Sequence, residues 1–167
     1  MNENTRPDNL IMKNAQILRG GYRNFSGKGS QKNPEGKRTF CIILDEETAA
    51  SLIEEGWNVK YTKPKSDEYE PVPFLKVNVN YAYKPPVINM YTSESMHRTR
   101  ISEKTVGDLD WAEIKYVDVN IKPSSKKYDH PDGTPATYSA YLQSMNVIIE
   151  EDPIRDMYQN DDEFDEE

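Results

Sequence analysis

The sequence contains few of the residues that build disulfide frameworks and metal sites. Cys41 is the single cysteine, so neither an intramolecular disulfide nor a cysteine-rich zinc site can form within the chain. The two histidines, His97 and His130, lie far apart, and neither stands at the usual ligand spacing from Cys41. We therefore expect no bound metal and no cofactor.

Long apolar segments are also missing from the sequence. No apolar run approaches the roughly 20 residues that a helix needs to cross a bilayer. Residues 1–9 are polar and lack the apolar stretch of a signal peptide, which favours a cytoplasmic protein. The chain has 167 residues, enough for one domain with a hydrophobic core and too few for a second domain of similar size.

Acidic charge is concentrated at the C-terminus. Residues 150–167 contain ten acidic residues and one basic residue, Arg155, and carry a net charge of −9. Since the whole chain carries −8, residues 1–149 have a net charge of +1. A block of like charges repels itself and buries no core, so we predict a disordered acidic tail over 150–167 that binds partner proteins. The tail ends in an acidic run with one embedded aromatic residue: Asp161, Asp162, Glu163, Phe164, Asp165, Glu166 and Glu167.

The segment between the polar N-terminus and the tail is dominated by patterns typical of β-strands. One helix is predicted between an N-cap at Asp45 and a stop at Gly56, and a helical turn is predicted near Leu109. A change in the parity of apolar residues late in the chain predicts a β-bulge near Gln143. Runs of β-branched, aromatic and alternating apolar residues predict strands over 10–19, 38–44, 57–61, 74–83, 87–91, 113–122 and 137–149.

These elements predict a mainly β protein, a small antiparallel barrel with one or two short helices and long loops. The longest loops are predicted over the glycine-rich residues 20–36 and over the polar residues 123–135, which contain a Pro-Asp-Gly turn. The chain is thus predicted to have three parts: a disordered N-terminal arm over 1–9, one folded domain over 10–149, and the acidic tail over 150–167.

The strongest chemical signal lies in the glycine-rich segment 19–40. Six basic residues stand there against one acid, Glu35, and three aromatic residues are interleaved with them. Cationic side chains neutralise backbone phosphates and flat aromatic rings stack on unpaired bases, so a groove for single-stranded nucleic acid needs both residue types. The segment therefore predicts a binding site of this kind, with a solvated loop of incidental charge as the alternative.

The predicted contacts follow from side-chain type. Phosphates are predicted to contact the basic residues of this segment: Arg19, Arg23, Lys28, Lys32, Lys37 and Arg38. Outlying phosphate contacts are predicted at basic residues beside aromatic residues or on the polar face of a strand: Lys60, Lys76, Lys126 and Lys127. Stacking on bases is predicted for three aromatic residues: Tyr22, Phe25 and Tyr61. The two tryptophans, Trp57 and Trp111, are predicted to lie in the core or at its edge.

Signals for catalysis are weak. Residues 113–115 (Glu-Ile-Lys) match the Asp/Glu-x-Lys element of a nuclease family, with Asp108 or Asp110 as the earlier acid. Residues 35–37 match equally well, and chance explains such matches in a chain with many acids and lysines. The sequence contains no P-loop, nucleophile elbow, dinucleotide fingerprint or histidine-containing triad, so we predict a protein without enzymatic activity.

Part of the chain resembles the single-stranded-DNA-binding proteins of bacteriophages. In residues 23–60, Arg-Asn-Phe and Arg-Thr-Phe precede a strand, an N-capped helix and Gly-Trp-Asn-Val-Lys, and the acidic terminus embeds Phe164. The resemblance implies an OB-fold over 10–149 that binds single-stranded DNA without sequence preference. It implies protection of that DNA in phage DNA replication, recombination and repair, within the host cytoplasm. It also implies an acidic tail that recruits replication or recombination proteins.

The tail departs from one pattern within this class. Bacterial relatives and some phage relatives place the aromatic residue at or next to the C-terminus, whereas three acidic residues follow Phe164 here. The resemblance therefore implies an electrostatic tail rather than one that docks through a terminal phenylalanine carboxylate. A tethered polyanion is also expected to compete with DNA for a cationic groove.

Two alternatives from other classes fit part of the sequence. An acidic adaptor or DNA-mimic protein that binds a host protein would use the tail. Such a mimic needs acidic residues over its folded surface, however, and residues 1–149 carry +1. A metal-dependent nuclease would use the acidic residues of 108–115, and cleavage of DNA that depends on a divalent metal distinguishes it from a binding protein.

Overall fold

The computed structural model of the protein describes residues 5–18, 23–29, 36–64, 66–82 and 84–150. Within these ranges the chain forms nine strands, one α-helix and one 3₁₀ helix, and the predicted mainly β class is confirmed. In chain order the elements are β1 (Leu10–Ala15), β2 (Arg23–Asn24), β3 (Arg38–Ile43), α1 (Glu46–Glu55), β4 (Val59–Tyr61), β5 (Pro73–Val79), β6 (Val87–Thr92), β7 (Arg98–Ile101), the 3₁₀ helix (Val106–Asp110), β8 (Ile114–Tyr128) and β9 (Thr137–Ile149).

The strands belong to one sheet whose centre is the long antiparallel hairpin of β8 and β9. The main path through the sheet is β1-β8-β9-β5-β3-β2; β4 pairs with β5, and β6 pairs with β9 and β7. Among the described residues, the ladders do not close into a complete barrel. An isolated bridge between Ile17 and Ile42 nevertheless brings the chain after β1 beside β3, so the sheet curls around its core.

Most strand pairs are antiparallel, as the predicted antiparallel barrel requires, but two pairs run parallel. Both β5 and β6 pair with β9 in the parallel sense. Parallel neighbours need a long crossover, and the chain between β5 and β9 is long enough to contain three strands and the 3₁₀ helix. Period-two patterning assigns residues to faces of a sheet, but it does not specify the direction of the neighbouring strand.

α1 lies where the sequence predicts it because both of its ends carry capping residues. The Asp45 carboxylate accepts a hydrogen bond from the Thr48 N–H at 2.6 Å, and this bonding lowers the pKa of Asp45. Gly56 ends the helix in the left-handed region, at a φ of 100°. Ala49 and Leu52 are buried, so the apolar side of α1 packs on the core.

β8 extends into the segment predicted as a loop over 123–135, and that prediction is wrong for its first half. The last pairs of β8 with β9 are made by Lys127 and Tyr128 despite the polar sequence. A register shift between Pro123 and Lys127 accommodates a residue that lacks a backbone N–H. The Ser124 hydroxyl donates to the Lys126 carbonyl of β8 and accepts from the Ser139 N–H of β9. It thus replaces part of the backbone hydrogen bonding that is lost at the register shift.

The predicted bulge in β9 is confirmed. Asn120 of β8 pairs with Ser144, and the next residue, Ile121, pairs with Leu142, so Gln143 is the extra residue of the bulge.

Residues 5–9 are held against β8 and β9, which corrects the prediction of a disordered arm for this part of 1–9. The Arg6 guanidinium donates to two backbone carbonyls of β8. The Asn9 side-chain amide donates to one side chain on β8 and to one on β9.

The core is built from the inward faces of the strands and from α1. Val77, Val117 and Val147 are fully buried at the centres of β5, β8 and β9. Each such side chain contributes about 1.5–3 kcal/mol through removal of its apolar surface from water. Trp57 is also buried, as predicted. In the part of the chain that the structure describes, no helix is long and apolar enough to cross a membrane.

Candidate nucleic-acid interface

Three lysines lie near one another: Lys76 on β5, Lys60 on β4 and Lys37 just before β3. Lys76 of β5 pairs with Cys41 of β3, and its two sequence neighbours point into the core. Partial burial lowers the pKa of Lys76, and the positive charges of Lys37 and Lys60 lower it further. The ammonium groups of Lys37 and Lys60 therefore lie close enough to Lys76 to repel its charge, and a bound anion would relieve that repulsion. We call Lys37, Lys60 and Lys76 the lysine cluster.

Cys41 lies beneath the lysine cluster. Burial raises the pKa of its thiol to about 11, although the charges of Lys76 and Lys60 act in the opposite direction. The thiol is therefore protonated at neutral pH, and Cys41 packs as a small apolar side chain.

A first cleft, with a volume of about 640 Å³, begins at Lys37. The Arg38 guanidinium carbon lies 5.3 Å from the centre of the Tyr81 ring, and an Arg38 nitrogen lies 3.8 Å from a Glu103 carboxylate oxygen. An aromatic face and an acid thus hold Arg38 in place, while Lys37 is more exposed. The lining residues are Gly36, Lys37, Arg38, Val79, Asn80, Tyr81, Ala82 and Glu103.

A second cleft, of about 630 Å³, lies where β8 and β9 meet the chain that follows β5. Three basic side chains, two tyrosines and two amide side chains line it, and none of its described lining residues is acidic. Tyr128 is 44% exposed, so part of its side chain is accessible from solvent. The lining residues are Arg6, Asn80, Lys84, Pro85, Lys122, Pro123, Ser124, Ser125, Tyr128, Tyr141, Leu142 and Gln143.

The lysine cluster and the two clefts form one continuous surface. Lys37 belongs both to the cluster and to the first cleft, and Asn80 lines both clefts. We call this surface the basic groove. Asn78, beside it on β5, donates its side-chain amide to the Ala140 carbonyl at 3.0 Å, which ties β5 to β9 along the groove.

Several predicted contacts lie in or beside the basic groove. Lys126 lies at one end, with its Nζ 5.6 Å from the centre of the Tyr128 ring. Tyr61 is 42% exposed, and its hydroxyl donates to the Glu46 carboxylate at 3.2 Å; its predicted stacking on a base stays a prediction. Four of the predicted basic residues belong to the groove itself: Lys37, Arg38, Lys60 and Lys76.

Other predicted contacts lie elsewhere in the described structure. Phe25 is 0% exposed and stacks on Phe40 at 5.0 Å between ring centres, so it has no free face for a base and the prediction of stacking is corrected. The Arg23 guanidinium donates to two backbone carbonyls beside the 3₁₀ helix, so a phosphate would have to compete with these bonds. Lys127 lies over the Tyr138 ring next to Gly56, on the α1 side of the sheet.

The 3₁₀ helix is followed by an exposed tryptophan. Trp111 is 78% exposed, so its predicted place in the core or at its edge is wrong. The Nζ of Lys28 lies 5.9 Å from the centre of the Trp111 ring, which pairs this predicted phosphate contact with an aromatic ring.

Several residues of the basic groove were not predicted from the sequence: Arg6, Lys84, Lys122, Tyr128 and Tyr141. Lys122 and Tyr141 pair directly across β8 and β9. Their alternation with apolar neighbours indicates an outward direction for both side chains. The sequence does not reveal, however, that their strands are neighbours.

Other predicted residues lie outside the described part of the chain. These are Arg19, Tyr22 and Lys32 of the glycine-rich segment, and Asp161, Asp162, Glu163, Phe164, Asp165, Glu166 and Glu167 of the tail.

The acidic residues of 108–115 do not gather into a metal site in the described structure. The Asp110 carboxylate accepts hydrogen bonds from the N–H groups of Phe25 and Ser26, at 2.6 and 3.0 Å. Among the described residues, no group of three His, Cys, Asp or Glu side chains is placed to hold a metal ion.

The fold and sequence match known proteins in two comparisons. The single-stranded DNA-binding protein from bacteriophage Enc34, solved in complex with ssDNA, is similar with a TM-score of 0.52 and 13% sequence identity. The match covers 87% of this chain and 89% of that protein, which confirms the OB-like fold. No curated protein matches the sequence. The family model described as "Putative phage ssDNA-binding domain" matches residues 2–167.

That match spans nearly the whole chain, from the N-terminus through the acidic tail. The family resemblance inferred from the sequence is therefore confirmed, and the chain belongs to the phage ssDNA-binding domain family.

Proposed function

We propose that the protein binds single-stranded DNA through the basic groove without sequence preference. The observation that carries this proposal is the continuity of the two clefts, which share Asn80 and together present five basic side chains. The family of the chain and the fold it shares with a phage protein solved with ssDNA both support the proposal.

The groove contains both kinds of contact that a sequence-tolerant site needs. Its ammonium and guanidinium groups attract phosphates irrespective of the base, and they release condensed counterions when DNA binds. Tyr128 and Tyr141 offer ring faces on which any base can stack. A phosphate beside Lys76 would offset the repulsion that Lys37 and Lys60 exert on its charge.

The biological role that we propose is protection of single-stranded DNA during phage DNA replication, recombination and repair, without a catalytic step. The acidic tail would compete with DNA for the basic groove and recruit replication proteins. From Glu150 to the acidic run at Asp161 the chain can span at most about 36–40 Å. The second cleft includes Leu142, about 26 Å back along β9, so the acidic run is within reach of it.

Fluorescence anisotropy of a labelled dT oligomer tests the proposal on the full chain. The titration is made at two salt concentrations with duplex of equal length as competitor. We expect binding that weakens with salt and that duplex barely displaces, and the salt slope divided by about 0.7 gives the number of phosphate contacts. Absence of binding at low salt, for both the full chain and a chain lacking residues 151–167, would overturn the proposal.

Two further outcomes would favour another class of protein. Capture of a host protein by a chain that binds no DNA would indicate the acidic adaptor. Cleavage of the oligomer that requires a divalent metal would indicate the nuclease.

A further inference from the structure

Trp111 is the most exposed of the large apolar side chains among the described residues. A single exposed apolar side chain needs no explanation by itself. This one is unusual because the backbone on both sides of it is fixed by hydrogen bonds from another part of the chain. Such support indicates that the position of the indole ring matters.

The support comes from the segment that contains β2. The Arg23 guanidinium donates to the carbonyls of Asp110 and Ala112, at 2.8 and 3.3 Å, on either side of Trp111. The Asp110 carboxylate accepts two backbone N–H groups of the same segment, from Phe25 and its neighbour. Hydrogen bonds to a charged group contribute more to stability than neutral ones, so the backbone around Trp111 is held firmly in place.

The cation beside the indole is also held in place. The Asn24 side-chain oxygen accepts a hydrogen bond from the Lys28 N–H at 3.2 Å, and the Asn24 amide donates to the Lys28 carbonyl at 3.1 Å. These bonds close a short turn at the backbone of Lys28, whose Nζ lies 5.9 Å from the centre of the Trp111 ring. A flat aromatic face with an adjacent ammonium group is the arrangement that recognises an unpaired base and its phosphate.

The indole lies beyond one end of the basic groove. Gly27, next to Lys28, accepts a hydrogen bond from the Gly36 N–H at 2.7 Å, and Gly36 lines the first cleft. A Cβ atom at Gly27 would lie 3.2 Å from the Cγ of Arg38, which also lines that cleft. A strand that leaves the groove there passes the turn that carries Lys28.

We propose that Trp111 and Lys28 form a stacking platform for one unpaired base of single-stranded DNA at the end of the basic groove. This inference rests on the proposed function and extends it. Two exposed acids, Asp108 and Glu113, lie close to Trp111 in the chain and disfavour further phosphate contacts. The Trp111 ring therefore contributes through stacking, and its contribution depends little on salt, in contrast to that of the groove.

The test compares Trp111→Ala, Trp111→Phe and Tyr69→Ala in dT binding. Tyr69 is a matched control because it is 68% exposed and stands between two acidic residues. We expect Trp111→Ala to weaken binding between about five-fold and a hundred-fold with an unchanged salt slope. Trp111→Phe should keep most of the affinity, and Tyr69→Ala should leave it unchanged.

Tryptophan emission gives an independent readout. The chain has two tryptophans, and Trp57 is buried, so the difference in emission between the native protein and Trp111→Phe belongs to Trp111. Stacking on a base should quench that component when dT is added. Affinity unchanged in Trp111→Ala together with no quenching would overturn the platform and leave the proposed function standing. Absence of dT binding to the native protein would overturn both.

The supporting role of Asp110 is tested by a double-mutant cycle. Asp110→Asn should weaken binding when Trp111 is present, because the indole loses its fixed position. The same substitution should have no effect on binding in the Trp111→Ala background. An equal loss in both backgrounds would show that Asp110 acts on the fold and not through Trp111.

Discussion

The basic groove and the proposed Trp111 platform differ in how their side chains are positioned. Several basic residues of the groove, such as Lys76 and Lys122, stand on regular strands, where the ladder fixes the backbone and long side chains reach out from it. The platform lies outside the strands, and side-chain to backbone hydrogen bonds fix it instead. Attraction between charges tolerates mobile side chains, whereas stacking requires a ring held in one plane. The two regions should therefore respond differently to mutation and to salt.

The largest expected effect is on stability, and it distinguishes the buried Phe25, which supports the fold, from the exposed Trp111, which is proposed to contact DNA. Phe25→Ala removes a fully buried ring that packs on Phe40, and it should lower the free energy of unfolding by about 3–5 kcal/mol. Trp111→Ala should change it by less than about 0.5 kcal/mol because the indole is exposed. Urea unfolding of the two variants measures both values. A stable Phe25→Ala variant that has lost DNA binding would restore Phe25 as a contact.

This pair of aromatic residues also shows where sequence reasoning stops. Phe25 stands among glycines and basic residues, as a stacking residue does, while Trp111 lies two residues after the apolar Leu109 in a predicted helical turn, as a core residue does. Their actual places are set by contacts 84–89 residues apart in the chain, between the β2 segment and the 3₁₀ helix. Local composition carries no information about such contacts.

The predictable parts of the fold are those with local causes. The helix was predictable because Asp45 and Gly56 cap it within its own sequence, and the bulge at Gln143 because apolar parity changes there. β7 carries exposed arginines without clear alternation, and pairing with β6 defines it as a strand. The second cleft was unpredictable because Arg6 and Ser124, 118 residues apart, meet there only after folding.

The next effect in size concerns the charge of the groove. Lys37→Gln combined with Lys76→Gln removes two members of the lysine cluster, so the salt slope for single-stranded DNA should fall by about 1.4. Affinity at low salt should fall by roughly ten-fold or more for the same reason. Anisotropy titrations over a salt series measure both quantities.

The matched control changes net charge equally at exposed positions that do not line the groove. Lys13→Gln combined with Lys115→Gln should leave the slope nearly unchanged. Equal losses of affinity in the two double variants would mean that only the net charge of the protein matters for binding. The groove would then have no specific electrostatic role to contrast with the platform.

Tyr128 tests whether the groove also stacks on bases. Tyr128→Ala should weaken dT binding by about 1 kcal/mol, near the lower end for base stacking because the ring is only partly exposed. Tyr69→Ala is the control, and the salt slope should not change in either variant. No loss of affinity in Tyr128→Ala would leave the groove with a purely electrostatic role.

The smallest expected effect comes from removal of the acidic tail. It should affect DNA binding by the charged groove and leave the contribution of the Trp111 ring unchanged. Removal of residues 151–167 should tighten dT binding a few-fold at low salt, because a tethered polyanion no longer occupies the groove. The gain should vanish at high salt, and it should be equal in the native and Trp111→Ala backgrounds because the platform has little net attraction for the tail. Phe164→Ala should reproduce none of the gain if competition is electrostatic. Weaker or unchanged binding after truncation would contradict competition by the tail and leave recruitment of partner proteins as its role.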